Sequence, residues 1–166
     1  MTEKGKAMLR QFEGCSLVAY KCPSGVSTIG YGNTFYADGT PVQMGDKIDQ
    51  ETANRLLDIT IEKFETQVRL LIKDIILPAE AIDALVSFSY NCGTAAFAKS
   101  TLLKKIKLNK LDLEGIGAEF LKWNKSNGKV LNGLTRRRKE EFQMYKEAVL
   151  SQYTKVECYE IGRGRK

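Results

Sequence analysis

Apolar positions fall into stretches of different period along the chain. Within 6–12, Ala7, Met8, Leu9 and Phe12 are apolar, and Met8 and Phe12 stand four apart. This spacing predicts a short helix that Gly14 would stop. Over 17–40 the period shortens. Leu17-Val18-Ala19-Tyr20 and Val26-Ser27-Thr28-Ile29 are β-prone, with Pro23, Gly25, Gly30, Gly32 and Gly39 as punctuation. A small hairpin-rich sheet is expected there. Asp49 then precedes Ala53, Leu56, Leu57, Thr60, Ile61, Phe64, Val68 and Leu71, which recur at steps of three and four. An Asp-capped helix over about 50–72 follows, about 35 Å long and able to bridge two lobes.

Pro78 suits the first turn of another helix reaching about Asn91, with Ile82, Leu85 and Val86 inward and Gly93 as its stop. Stretches 100–108 and 111–123 read as helices too, although Gly115 and Gly117 weaken the second. Asn127-Gly128 and Asn132-Gly133 are expected to bracket a tight turn. A final helix over 133–150 carries Leu134, Phe142, Tyr145 and Val149, and 155–166 has no clear period. The fold class is therefore α+β and mainly helical. It is expected as one domain over 1–166: a small N-terminal lobe with β-hairpins (about 1–50), a linking helix (about 50–73), a helical lobe (about 74–150) and a basic tail (151–166). A cleft between such lobes is the first place to seek a site.

Composition narrows the chemistry. The chain has 166 residues and no histidine. A Ser-His-Asp triad, a Cys-His dyad and a zinc site with imidazole ligands are all excluded. Acid–base work must come from carboxylates, thiols, tyrosines or lysines. No metal site and no cofactor is expected. The net charge of +6 favours a polyanionic partner, whether nucleic acid, anionic lipid or an acidic cell wall. Cys15, Cys22, Cys92 and Cys158 include no CxxC pair and are expected as free thiols. The charged opening lacks the apolar run of a signal peptide, and no stretch reaches about 18 apolar residues. Synthesis in the cytoplasm without stable membrane insertion is expected.

Glu13 closes the first expected helix. Cys22 follows after eight intervening residues and Thr28 after five more, leading into Thr28-Ile29-Gly30-Tyr31-Gly32. The glycines allow tight turns and close approach of an extended ligand. This Glu-x8-Cys-x5-Thr frame resembles the catalytic motif of the phage-type lysozymes, the endolysin muramidases, where many members carry Asp at the second position. Asn91-Cys92-Gly93-Thr94 with Phe97 and Ser100-Thr101-Leu102-Leu103 resembles the family's cleft-lining helix junction. Phe120-Leu121-Lys122-Trp123 and Asn132-Gly133-Leu134-Thr135-Arg136-Arg137-Arg138 resemble its C-terminal signature. The likeness runs from about Gly5 to Tyr145.

The resemblance implies a lysozyme-like fold and hydrolysis of the β-1,4 bond between N-acetylmuramic acid and N-acetylglucosamine in bacterial peptidoglycan, ending in host cell lysis. It implies Glu13 as general acid, with Cys22 and Thr28 placing the attacking water in an inverting reaction. Cys22 could serve as an activated thiolate, for which Lys21 is the neighbouring positive charge, or as a neutral thiol that helps Thr28. Thr34, Tyr90 and Ser100 match positions that line the sugar groove, or serve packing and capping. Arg136 and Arg137 orient Glu13, or belong with Arg138 and Lys139 to a solvated helix face. Trp123 stacks on a sugar or belongs to the core. The implied partners are peptidoglycan and, for release to the periplasm, a holin; the protein is expected as a monomer without nucleic acid. Rival readings are a lytic transglycosylase on the same polymer, a non-catalytic wall-binding relative, and a nucleic-acid binder built on 136–139.

Overall fold

A computed structural model describes the backbone of residues 1–163 and the side chains of 1–154. The chain divides into two compact units, residues 6–63 and residues 1–5 with the chain from 64 onward. Helix α1 (Glu3–Glu13) begins in the second unit and runs into the first. It ends as expected at Gly14, whose φ of +66° breaks the helical path and whose N–H bonds Arg10 O at 3.1 Å.

In the 6–63 unit, β1 (Ser16–Lys21) pairs antiparallel with β2 (Ser27–Gly30), setting Tyr20 opposite Thr28 and Lys21 opposite Ser27. Ala19, Ile29, Val42 and Leu56 form the core of this unit, with Tyr36 and Ile48 packed on it. Helix α2 (Gln50–Leu71) starts where Asp49 Oδ1 accepts from Thr52 N at 2.7 Å. Its inward positions are the expected ones, with Ala53, Leu56, Leu57, Ile61 and Val68 buried.

The other unit is mainly helical. Helix α3 (Ala79–Cys92) is preceded by Pro78 at φ −65° and stopped by Gly93 at φ +87°. Helix α4 (Thr94–Lys99) stands where no helix is expected from the sequence; it is six residues long, too short for a period to register. Helix α5 (Thr101–Leu108) is capped by Ser100, and α6 (Leu113–Leu121) by Asp112. Strands β3 (Lys125–Ser126) and β4 (Lys129–Val130) form a hairpin across Asn127-Gly128, both at positive φ. Asn132-Gly133 makes no second turn. It opens α7 (Asn132–Arg163), which continues well past Leu150. Most of the expected tail is thus helix, and residues 164–166 lie outside the described residues.

The glycines of α6 have a packing reason. A Cβ on Gly117 would lie 2.7 Å from the Phe142 ring of α7, so only glycine permits this approach. The aromatic core of the unit radiates from Phe88, with ring centroids of Phe97, Phe120 and Trp123 at 5.8, 5.6 and 5.3 Å.

Candidate active site

Glu13, Cys22 and Thr28 all belong to the 6–63 unit. Glu13 is the last residue of α1 and is half-buried. Cys22 follows β1 directly and opens the hairpin loop. Its N–H donates to Val26 O at 3.0 Å, and its carbonyl accepts from Gly25 N at 2.8 Å. The three residues between, Pro23-Ser24-Gly25, form a hairpin loop with Gly25 in the left-handed region at φ +80°. Thr28, in β2, is buried and donates its hydroxyl proton to Val26 O at 3.1 Å.

The sulfur of Cys22 lies 2.9 Å from Ser24 Oγ. This contact is the largest influence on the thiol, which is pulled down to about 7; backbone groups of Val26 and Ser24 add to it, Thr28 adds least, and desolvation opposes them. Lys21 is not the cause. Its ammonium donates to Ser27 Oγ at 3.0 Å. The thiol is activated by hydrogen bonds to its anionic form and not by a neighbouring charge. Ser24 is the residue that the sequence reading missed. Its signal was present, as a hydroxyl two residues after a cysteine, inside a Pro–Gly loop.

Cys15, Cys22 and Cys92 are free thiols, and the side chain of Cys158 lies outside the described residues. The six residues of β1 separate Cys15 from Cys22. Such a strand holds their Cα atoms on the order of 20 Å apart, whereas a disulfide needs under about 7 Å. The folded hairpin therefore keeps Cys22 out of that bond.

Thr34 lies in the same unit and lines a groove of about 210 Å³ with Asn33, Phe35, Thr60 and Lys63. Its carbonyl accepts from Val42 N at 2.9 Å. Tyr31, from the Gly-Tyr-Gly run, is buried, and its hydroxyl donates to Asn54 Oδ1 and accepts from Gln50 Nε2, both at 3.1 Å. It ties the hairpin to the start of α2.

Tyr90 and Ser100 belong to the other unit. Tyr90 is half-buried, with its ring 5.1 Å from that of Phe64. Ser100 is buried and its hydroxyl makes the α5 cap, accepting from Leu103 N at 3.0 Å and donating to Phe97 O at 2.7 Å. Trp123 is both a core and a groove residue. It meets Phe88 edge to face and lines a groove of about 510 Å³ with Asn91, Cys92, Lys122 and Lys125.

The arginine run is no solvated face throughout. Arg136 is exposed and lies 3.6 Å from Glu140. Arg137 and Arg138 are buried around Glu141. Arg137 Nε reaches Glu141 Oε1 at 3.0 Å and Arg137 Nη2 donates to Ser87 O at 3.0 Å. Arg138 lies 2.8 Å from Glu141 Oε2, donates to Cys92 Sγ at 2.9 Å, and stacks 4.9 Å over the Phe88 ring. A run of four basic residues cannot show this, because the i+3 and i+4 partner that draws two of them inward lies outside it.

Comparison with known proteins identifies the family. The phage lysozyme family profile matches residues 10–141. The chain is 39% identical over 152 residues to an endolysin of Acyrthosiphon pisum secondary endosymbiont phage 1, covering 89% of this chain and 99% of that one. It is 39% identical over 147 residues to an endolysin of Bacillus phage B103, covering 87% of this chain but only 53% of that one. Among solved structures, an endolysin from Escherichia coli O157:H7 phage FAHEc1 superposes with a TM-score of 0.77 at 38% identity, covering 87% of this chain and 91% of that one. A family profile matched over residues 10–141, relatives 39% identical, and a fold shared over nearly nine-tenths of its length place this chain in the phage lysozyme family.

Proposed function

We propose that this lysozyme acts as an endolysin, hydrolysing the β-1,4 bond between N-acetylmuramic acid and N-acetylglucosamine in peptidoglycan. Glu13 donates its carboxyl proton to the glycosidic oxygen as the C1–O bond breaks. A water attacks the opposite face of the sugar and gives its proton to Cys22 Sγ. Thr28 holds that water. Its own proton is engaged by Val26 O, so its oxygen has lone pairs free to accept one. Glu13 ends as carboxylate and Cys22 as thiol, and solvent exchange resets both.

The observation that carries this reading is the match to the phage lysozyme family over residues 10–141, with 39% identity to an endolysin over 152 residues; the contact of Cys22 Sγ with Ser24 Oγ at 2.9 Å supports the role given to the sulfur. A free cysteine is only a few per cent thiolate at neutral pH, with a pKa of about 8.5. A sulfur drawn down to about 7 is about half ionised there and can take a proton from water. Thr34, Tyr90 and Ser100 are proposed to contact the glycan, and Arg136 and Arg137 to orient Glu13, on the strength of the family likeness. Residues 1–50 and 74–150 are proposed as the two lobes that the helix of 50–73 joins. The protein is proposed to be a monomer made in the cytoplasm, released by a holin and active on the wall in the periplasm. No helix among the described residues is long and apolar enough to cross a membrane.

Clearing of permeabilised Gram-negative cells tests the assignment. Glu13→Gln is expected to abolish lysis, and Cys22→Asp to keep much of it. Full activity of the glutamine variant removes Glu13 from the mechanism. Reducing sugar ends in the product mark a hydrolase; 1,6-anhydromuramic ends would mark a transglycosylase instead.

A further inference from the structure

We propose that Ser24 is a positioning residue of this reaction: its hydroxyl donates to Cys22 Sγ and holds the sulfur anionic and fixed in place as the base for the attacking water. The inference rests on the assignment of Cys22 as that base.

The loop brings the two groups together by construction. Cys22 and Val26 close the hairpin, and the turn from Cys22 to Gly25 has Pro23 at its first corner, where the fixed φ of proline is favoured. Gly25 then takes the left-handed conformation that a side chain would resist. Ser24 is left at the second corner with its Oγ 2.9 Å from the sulfur. When Cys22 is a thiolate it can only accept, so Ser24 must donate. No other hydroxyl serves as well. Thr28 has its proton on Val26 O at 3.1 Å and adds least to the sulfur. Lys21 is the charged neighbour on β1, and its ammonium is turned to Ser27. Ser24 is exposed, so its exchange disturbs no core.

The test uses the full chain with its other cysteines intact. Iodoacetamide alkylation is followed against pH, with Cys22 read out by peptide mass spectrometry. In the unaltered protein half-maximal alkylation is expected at about pH 7. In Ser24→Ala it should move to about pH 8, which lowers the thiolate fraction at pH 7 about five-fold. Lysis at pH 7 should fall by the same factor. Ser24→Thr, which keeps the donor, should behave as the unaltered protein. In a Cys22→Asp background, Ser24→Ala should change lysis less than about two-fold, since a carboxylate is ionised at neutral pH without help.

An unmoved Cys22 titration in Ser24→Ala overturns the proposal. So does an equal loss of lysis in the Cys22→Asp background, which would mark simple loop damage. A titration that moves while Ser24→Ala lyses cells at the unaltered rate at every pH also overturns it, through its premise that Cys22 is the base and not through the contact.

Discussion

Replacing Glu141 by glutamine should cost the protein a large share of its stability, though it changes one atom. Glu141 is fully buried, and so is Arg138, while Arg137 is nearly so. Oε1 accepts from Ser87 Oγ at 2.7 Å, Arg137 Nε at 3.0 Å and Arg138 Nη2 at 3.0 Å. Oε2 lies 2.8 Å from Arg138 Nε. A glutamine of the same shape has one amide nitrogen, and either orientation points its N–H groups at a donor. It also removes the charge of a carboxylate that two buried guanidiniums share. Removing one partner of a buried pair costs about 3–5 kcal/mol, because the remaining charge stays desolvated. Total stabilities are about 5–15 kcal/mol, so this loss would be severe. At about 2–4 °C per kcal/mol for a chain of this size, the Tm should fall by about 10 °C. Circular dichroism melts and urea titrations at neutral pH measure it. A Glu141→Gln variant within about 1 kcal/mol of the unaltered protein would refute the claim that this triad holds α3 to α7.

Two further outcomes follow from other sites. Ser100→Ala removes the α5 cap and should cost about 1 kcal/mol in urea unfolding; if lysis per folded molecule stays unchanged, Ser100 is a cap and not a sugar contact. The pH–lysis profile should bend near pH 7, where Cys22 changes protonation state, and Cys22→Asp, ionised down to about pH 4, should remove that bend.

The elements of this fold were readable wherever a single helix face or a short alternation ran long enough. Helix α2 shows this best. Its stripe from Ala53 to Val68 spans four turns, and Asp49 marks its start, so both location and inward face follow from the sequence. Helix α4 was not readable, since in six residues only Phe97 is buried and one apolar residue has no period. Helix α7 was cut short because Leu150 and Tyr153 are exposed and break the inward pattern, while the helix itself continues. Gly117 misled in the other direction: a poor helix former by propensity, it is required by the approach of Phe142 from α7, a contact that local sequence does not carry. At the site, the resemblance carried by the Glu-x8-Cys-x5-Thr frame pointed to Glu13, Cys22 and Thr28. What it could not supply was which neighbour meets the sulfur, because Lys21 and Ser24 both lie within two residues of Cys22 and only the hairpin decides which one faces it.

That decision bears on how a thiol can take the place of the carboxylate that the motif's likeness implies at this position. An aspartate is ionised at neutral pH in almost any solvated setting, so its loop needs only to place it. A cysteine at the same point needs its loop to place it and to ionise it. A positive charge could do so, but such a charge beside the attacking water would also hinder the buildup of an oxocarbenium-like centre nearby. A neutral hydroxyl avoids that conflict. It stabilises the anion through one short hydrogen bond and adds no net charge to the site. The Cys22-Pro23-Ser24-Gly25 loop achieves this with local parts alone: proline and glycine set the turn, the backbone of Val26 fixes its width, and the serine completes the base. Substituting the serine should therefore matter only while the base is sulfur, and the same loop should become indifferent to it once aspartate replaces the cysteine.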